Sequence, residues 1–361
     1  MIKIQRSLDK YIGSFLCGIL SPFVIENHNI ILQNKKIIFV KLQSLGESIL
    51  TLTLLKTLHE KYNCTIDIIT TPVIKAVFEN QPFINNIKLV TISETIKPNQ
   101  YDIAIDGEPY LKCSSLLAWW LAKESIGFSH GIRAKLYDKR IRYNDKQHLV
   151  QTYLDLVNEK EHTGHLIPLK YPDSAETRIQ NFFMQNKIVD KTLIGIHPGV
   201  SESGRSRIWP LHNWVGLIRK ASKEKKPWMF ILTGTSNEKP MIEAIIKNLT
   251  AAEQKYAIST AGMFSLNELF CLLKHLNVFI ASDTGPMHMA AAIGTRTIGL
   301  FGPNTPVRRA PYGPKNISIY HPLLKEPCIN VHKDEISDCD HPHMEMIGYL
   351  EVYQKVKTLT L

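Results

Sequence analysis

The residues able to do chemistry in this 361-residue chain gather in a few short stretches, and the densest is Ser282-Asp283-Thr284-Gly285-Pro286-Met287-His288. An apolar run, Val278 to Ala281, precedes it, and a Met/Ala stretch ending at Gly294 follows. Pro at a first helical position and Gly just past the last one mark a short helix between two strands. The leading N–H groups of such a helix lack partners, and a Gly-containing approach leaves room for a phosphate against them. Asp283 and His288 add polar side chains at a strand end and a first turn, where ligands of open α/β sheets collect. An ordinary strand–helix unit explains the spacing equally well.

Two further turns carry polar groups. In Lys41-Leu42-Gln43-Ser44-Leu45-Gly46-Glu47-Ser48, Gly46 permits a tight turn and Glu47 falls near the N-cap of the next helix. By residue type alone Glu47 is a first-turn acid that complements the helix dipole, and Ser44 and Ser48 are turn residues. The stretch 195–210 holds Gly199, Gly204, Arg205 and Arg207 ahead of Trp209-Pro210, so it is flexible and electropositive at its far end. His197 reads as a strand-end residue in a structural hydrogen bond.

These turns need strands and helices to hold them. From Lys36 the sequence alternates: IIFVKL, then ILTLTLLKTLHEKY, TIDIIT, PVIKAVFENQ, NIKLV, YDIAID, SSLLAWWLAK and SIGF. A helix is expected over Tyr143 to Glu161, and 164–174 reads as a passage between domains. A second series opens at Thr192 with LIGIHPG and runs through WMFILTG, MIEAIIKNL, YAIST and SLNELFCLLKHL to the opening stretch, with a last helix near Met344 to Lys357. Strands alternating with helices predict an α/β fold of doubly wound parallel sheets. The expected division is an N-terminal helix in 1–30, a Rossmann-like domain in 31–172, a second in 173–343, and a C-terminal helix in 344–361. Neither a GxxxxGK[ST] loop nor a GxGxxG turn occurs, which removes P-loop NTPases and nicotinamide dehydrogenases.

The chain is 44% hydrophobic and 21% charged, as soluble globular proteins are, and long enough for two cores. A formal charge of +10 admits acidic partners, but no nucleic-acid-binding signature accompanies it. Six widely spread cysteines fit a reducing compartment, so cytoplasm is expected. Cys328, His332, Cys339, His341 and His343 crowd together without a standard zinc spacing, and no metal is assigned there. Tyr11 to Ile25 is an apolar run of about 15 residues, short of the ~20 that span a bilayer. It is either a helix packed on the domain or an amphipathic helix at a membrane surface, with Lys3, Arg6 and Lys10 toward the headgroups.

The run SDTGPMHMAAAIGTRTIGLFGPNTP resembles the donor-site signature of glycosyltransferase family 9, the ADP-heptose:lipopolysaccharide heptosyltransferases and their relatives. The resemblance implies a GT-B fold, two Rossmann-like domains facing a central cleft. It implies inverting, metal-independent transfer from a nucleotide-diphosphate sugar, most simply ADP-heptose, to a lipopolysaccharide core or similar lipid-linked saccharide, without a resident cofactor. In the family the first turn is usually SLGD and its Asp is the general base on the acceptor hydroxyl. Here Glu47 stands in that place, with Ser44, Gly46 and Ser48 on the acceptor side. A shift on the order of 1 Å costs ~100-fold in a geometry-sensitive step, so the extra methylene matters.

By the same resemblance, Arg207 and with it Arg205 fall to the donor diphosphate, which a guanidinium bonds in bidentate fashion. Asp283, Thr284, Gly285 and His288 match donor-binding positions, with Asp283 bonding sugar hydroxyls or orienting Arg207 or His288. Thr233, Gly234 and Glu238, in TGTSNEKP, are candidates for base or ribose; Met287 and Met289 are expected in the core. A lipid-linked acceptor favours the membrane-surface reading of the N-terminal helix, making the inner membrane a partner and nucleic acid none. Rival readings are another nucleotide sugar, an epimerase of similar architecture, and a scaffold that binds nucleotide sugar without turnover.

Overall fold

Strands that read as unbroken Ile, Val and Phe runs need helices on both faces, and the chain supplies them. The computed structural model describes residues 8–90, 97–160, 164–324, 327–328 and 341–360. They form two compact units, one ahead of residue 163 and one after it. Residues 164–172, expected to close the first domain, belong to the second.

In the first unit a helical segment, α1 (9–23), opens with a wide turn at Asp9–Gly13, continues as Ser14–Leu20 and closes with a tight turn at Ser21–Phe23. The sheet follows: β1 (Lys36–Val40), β2 (Thr65–Thr70), β3 (Asn86–Leu89), β4 (Tyr101–Asp106), β5 (Ala122–Phe128) and β6 (Lys139–Ile141). Its helices include α2 (Leu45–Tyr62), α3 (Lys112–Leu121) and α4 (Leu149–Leu154). The second unit holds β7 (Thr192–His197), β8 (Trp228–Leu232), β9 (Ala257–Ser259), β10 (Val278–Ser282), β11 (Arg296–Phe301) and β12 (Ile317–Tyr320). Among its helices are α5 (Asp173–Gln185), α6 (Leu211–Lys223), α7 (Lys239–Lys247), α8 (Leu266–Lys274), α9 (Gly285–Ile293) and α10 (Tyr349–Thr360).

Both sheets are parallel throughout, in the orders β3-β2-β1-β4-β5-β6 and β12-β11-β10-β7-β8-β9. Counted within its own unit, the second order is the first read from the opposite edge. The direction of winding therefore reverses between β1 and β4, and again between β7 and β10. Crevices open at the carboxyl ends of strands at such reversals. The turns after β1, β4, β7 and β10 begin at Lys41, Gly107, Pro198 and Asp283, so the chemistry-bearing stretches lie at the two reversals.

Several elements depart from expectation, each for a local reason. The helix expected over Tyr143 to Glu161 is only α4 with a turn at Asp155–Val157: His148 Nδ1 accepts from Val150 N–H at 3.2 Å and starts it, and left-handed Asn158 ends it. Helix α3 stops at Leu121 because Ala122 pairs with Tyr101 in the sheet, overriding the helical pattern of AWWLAK. The last helix begins at Tyr349, whose N–H is held by Asn213 Oδ1 at 3.3 Å. Strands β6 and β12 and helix α5 were not among the expected elements.

Cys17, Cys64, Cys113 and Cys271 are free thiols, but Cys328 is disulfide-bonded, against the expectation that all cysteines are reduced. A disulfide sulfur is not a thiolate ligand; His332 and Cys339 lie outside the described residues. Among the described residues no helix is long and apolar enough to cross a membrane.

Candidate active site

At the first unit's reversal a buried lysine sits between two acids. Lys41, directly after β1, has no exposed surface, and its Nζ lies 3.3 Å from Glu47 Oε2 and 3.1 Å from Glu108 Oε1. Burial alone would lower the lysine pKa, but the two carboxylates outweigh it and hold Lys41 above its ordinary value. Glu108 is displaced upward by burial, which Lys41 only partly offsets. The same carboxylate accepts from the N–H groups of Leu42 and Gln43 at 2.7 and 2.8 Å, so it shapes the turn that leads to Glu47. Its own N–H is fixed by Asp106, which the buried Arg133 guanidinium pairs at 2.7 Å.

Glu47 itself is 5% exposed, with Tyr153 O–H donating to its Oε2 at 3.2 Å. It is the third residue of α2, not the cap. The N-cap is Ser44, whose Oγ faces Glu47 N–H at 3.4 Å. The left-handed position in this turn is also Ser44, at φ 65°, while Gly46 is helical and buried, so the tight-turn role expected of Gly46 moves two residues back. Ser48 is fully buried and its hydroxyl bonds the Ser44 carbonyl at 2.9 Å. Ser44 stays exposed.

The second unit's reversal is built around Asp283. At 2% exposure its carboxylate accepts from Asn304 Nδ2 at 2.7 Å, with Arg207 Nη1 at 3.6 Å and His288 Nε2 at 3.9 Å. Burial would raise its pKa, yet Arg309, Arg207 and His288 together hold it below the usual carboxylate value. Arg207 also donates to the Asp283 carbonyl at 2.5 Å, so the orienting role expected of Asp283 toward Arg207 has a geometric counterpart. The arginine is aimed from both sides. Trp209 anchors the loop, its indole N–H bonding the Ile347 carbonyl at 2.8 Å, and Gly204 lets the guanidinium lie close, since an added Cβ would come to 2.2 Å from Arg207 Nη2. Arg205 is exposed.

Helix α9 follows at once, capped by extended Thr284, with Gly285 first and Pro286 second. Its leading amides, those of Gly285 and Met287, point out of the helix end. Left-handed Gly294 stops it at φ 93°, and Met287 and Met289 are buried as expected.

The loop after β8 is more closed than its sequence implies. Thr233 is 2% exposed and its hydroxyl bonds the Ile196 carbonyl. Glu238 accepts from Thr235 N–H and Oγ1 at 2.7 and 2.8 Å in a capping box, with His197 Nε2 3.6 Å away. Burial works against the charge, but those donors lower its pKa to about 2. Gly199 and Gly234 both line this carboxylate; an added Cβ at Gly199 would stand 1.9 Å from Glu238 Oε1. His197 bonds Thr233, as a structural strand-end residue should.

Lys41, Glu108, Asn304 and Arg309 were not assigned from the sequence. Lys41 carries one readable sign, a charged residue immediately after an apolar strand. Asn304 and Arg309 follow β11, and only the folded sheet brings them to Asp283.

The family model described as "Glycosyltransferase family 9 (heptosyltransferase)" matches residues 89–336. The chain is 28% identical over 210 residues to lipooligosaccharide heptosyltransferase 2 of Haemophilus influenzae, an alignment covering 55% of this chain and 59% of that protein. With its counterpart from Haemophilus ducreyi it shares 25% identity, over 72% of this chain and 77% of the other. The solved structure of Escherichia coli ADP-heptose lps heptosyltransferase II superposes with a TM-score of 0.72 at 19% identity, covering 90% of this chain and 98% of that one. At that identity the superposition speaks for the fold alone.

Proposed function

The chain belongs to glycosyltransferase family 9, and from that premise we propose that it moves a sugar from ADP-heptose to a lipopolysaccharide core or similar lipid-linked saccharide, with inversion and without a metal. The observation that carries the donor half is the Asp283 turn: two outward amides of α9 beside an arginine held by Asp283. Donors fixed before the reaction stabilise a departing diphosphate without reorganising. The relatives' names supply the sugar and the acceptor class.

Glu47 is the proton acceptor in this reading. Lys41 Nζ and Tyr153 O–H hold its Oε2 at 3.3 and 3.2 Å, and its burial keeps bulk water from it. As the acceptor oxygen bonds to the anomeric carbon, its proton passes to Glu47 and the C–O bond to ADP breaks. Glu238, against Gly199 and Gly234, is the group nearest to a ribose role. The protein would work at the cytoplasmic face of the inner membrane, where both substrates meet.

One observation favours a second reading. Glu47 is nearly enclosed and its Oε2 is already engaged, as in a structural acid, so a nucleotide-sugar-binding scaffold with little turnover is the alternative.

Purified protein given ADP-heptose and a heptose-truncated lipopolysaccharide should form one new glycosidic bond of opposite anomeric configuration, read by NMR, at a rate unaffected by EDTA. UDP- and GDP-sugars should not substitute. Tight ADP-heptose binding with no product would instead establish the scaffold.

A further inference from the structure

Segment α1 turns its apolar side outward. Its inward positions are Gly13 and Cys17, while Tyr11, Ile12, Phe15, Leu16, Ile19 and Phe23 are 39% to 74% exposed. Surface helices of water-soluble domains do the reverse. A contiguous apolar face of this kind marks a place where something else binds.

The segment is nonetheless firmly attached. Asp9 caps α3, accepting from Lys112 N–H at 3.1 Å and Cys113 N–H at 2.7 Å. Gly13 lies so close to α3 that an added Cβ would meet Lys112 Cβ at 2.7 Å, and Cys17 Sγ lies 3.6 Å from Ser115 Oγ. Helix α3 begins just after the turn that carries Glu108. The outward face is thus tied to the end of the first sheet where Lys41, Glu47 and Glu108 lie.

Its chemistry selects the occupant. Aromatic residues are prominent: Tyr11, Phe15 and Phe23, and Trp120, 44% exposed, lines one depression with Phe23 and Lys123. Cations sit at its margin: Lys10 is exposed on α1, and the Lys123 side chain is 66% exposed with its Nζ 3.3 Å from Asp102 Oδ1, in a chain of formal charge +10. Aromatic rings with basic neighbours at their margin suit the headgroup layer of an anionic bilayer. Over its described residues the helix is too short to cross.

We propose that α1 is a membrane-docking element whose outward face lies in the interfacial layer of an anionic bilayer and holds the Glu47 end of the first unit toward it. The docking rests on the transferase reading only for what it serves, presentation of a lipid-linked acceptor.

Flotation with vesicles of phosphatidylethanolamine and phosphatidylglycerol tests it, comparing the native chain with Phe15→Ser combined with Ile19→Ser, and with Phe23→Ser alone. All three positions are exposed, and circular dichroism checks that each variant folds. The native chain should float and the double variant should lose roughly tenfold or more in partitioning, Phe23→Ser less. Phosphatidylcholine vesicles should retain less native protein. Equal flotation of native and double variant overturns the proposal, as does a native dimer in light scattering that the variant dissolves while neither binds vesicles. Transfer to a delipidated core oligosaccharide should be the same in native and variant. Transfer without flotation leaves the enzyme reading standing and removes the docking; flotation without transfer does the opposite.

Discussion

Glu238 shows how one side chain links stability to pH in this chain. Its carboxyl has a folded pKa of about 2 against an ordinary 4.5. A depressed value means the native state binds its proton later than the unfolded state, so this contribution is complete above pH 4.5 and lost as pH falls toward about 2. Glu238→Gln should therefore flatten the acid limb of stability in that window, measured by urea unfolding at a series of pH values. An unchanged limb would mean that His197 and Thr235 do not stabilise the charge. The residue's presence was legible in TGTSNEKP, but its partners were not, because His197 and Glu238 meet only through the pairing of β7 with β8. Glu47 was legible as a first-turn acid. Its enclosure by Lys41 and Tyr153 was not, since Tyr153 lies more than a hundred positions along the chain.

At the scale of elements, the turns at strand ends decide what the side chains can do. Gly199 follows β7 and gives way to the Glu238 carboxylate, so Gly199→Ala should displace that acid. The expected cost is about 1–3 kcal/mol in unfolding free energy, with weaker binding of ADP by calorimetry. Native stability and affinity in the variant would show that the loop relaxes freely around the added methyl group. Element types were readable wherever apolar runs met turn residues: α9, with Pro near its start and Gly294 at its stop, follows its sequence pattern closely. Boundaries were less so. The expected helix from Tyr143 shrank to α4 because a histidine cap and a left-handed asparagine fixed its ends, and histidine is not a residue type that announces a cap.

The whole molecule repeats one plan, two parallel sheets wound in the same order, each with its chemistry at the reversal. That much was visible in the alternation of strands and helices, because fully covered parallel strands must be apolar throughout. The passage between the units was read at 164–174, but the division falls at its start, so 164–172 goes with the second unit and not the first. The account assigns proton acceptance to the first unit, at Glu47, and donor binding to the second, at Arg207 and Asp283. Turnover of Glu47→Gln at saturating ADP-heptose, with donor affinity measured on the same sample, tests that division most directly. The account predicts a fall of ~100-fold or more in turnover with donor affinity nearly unchanged. A variant that turns over as fast as the native protein would contradict it.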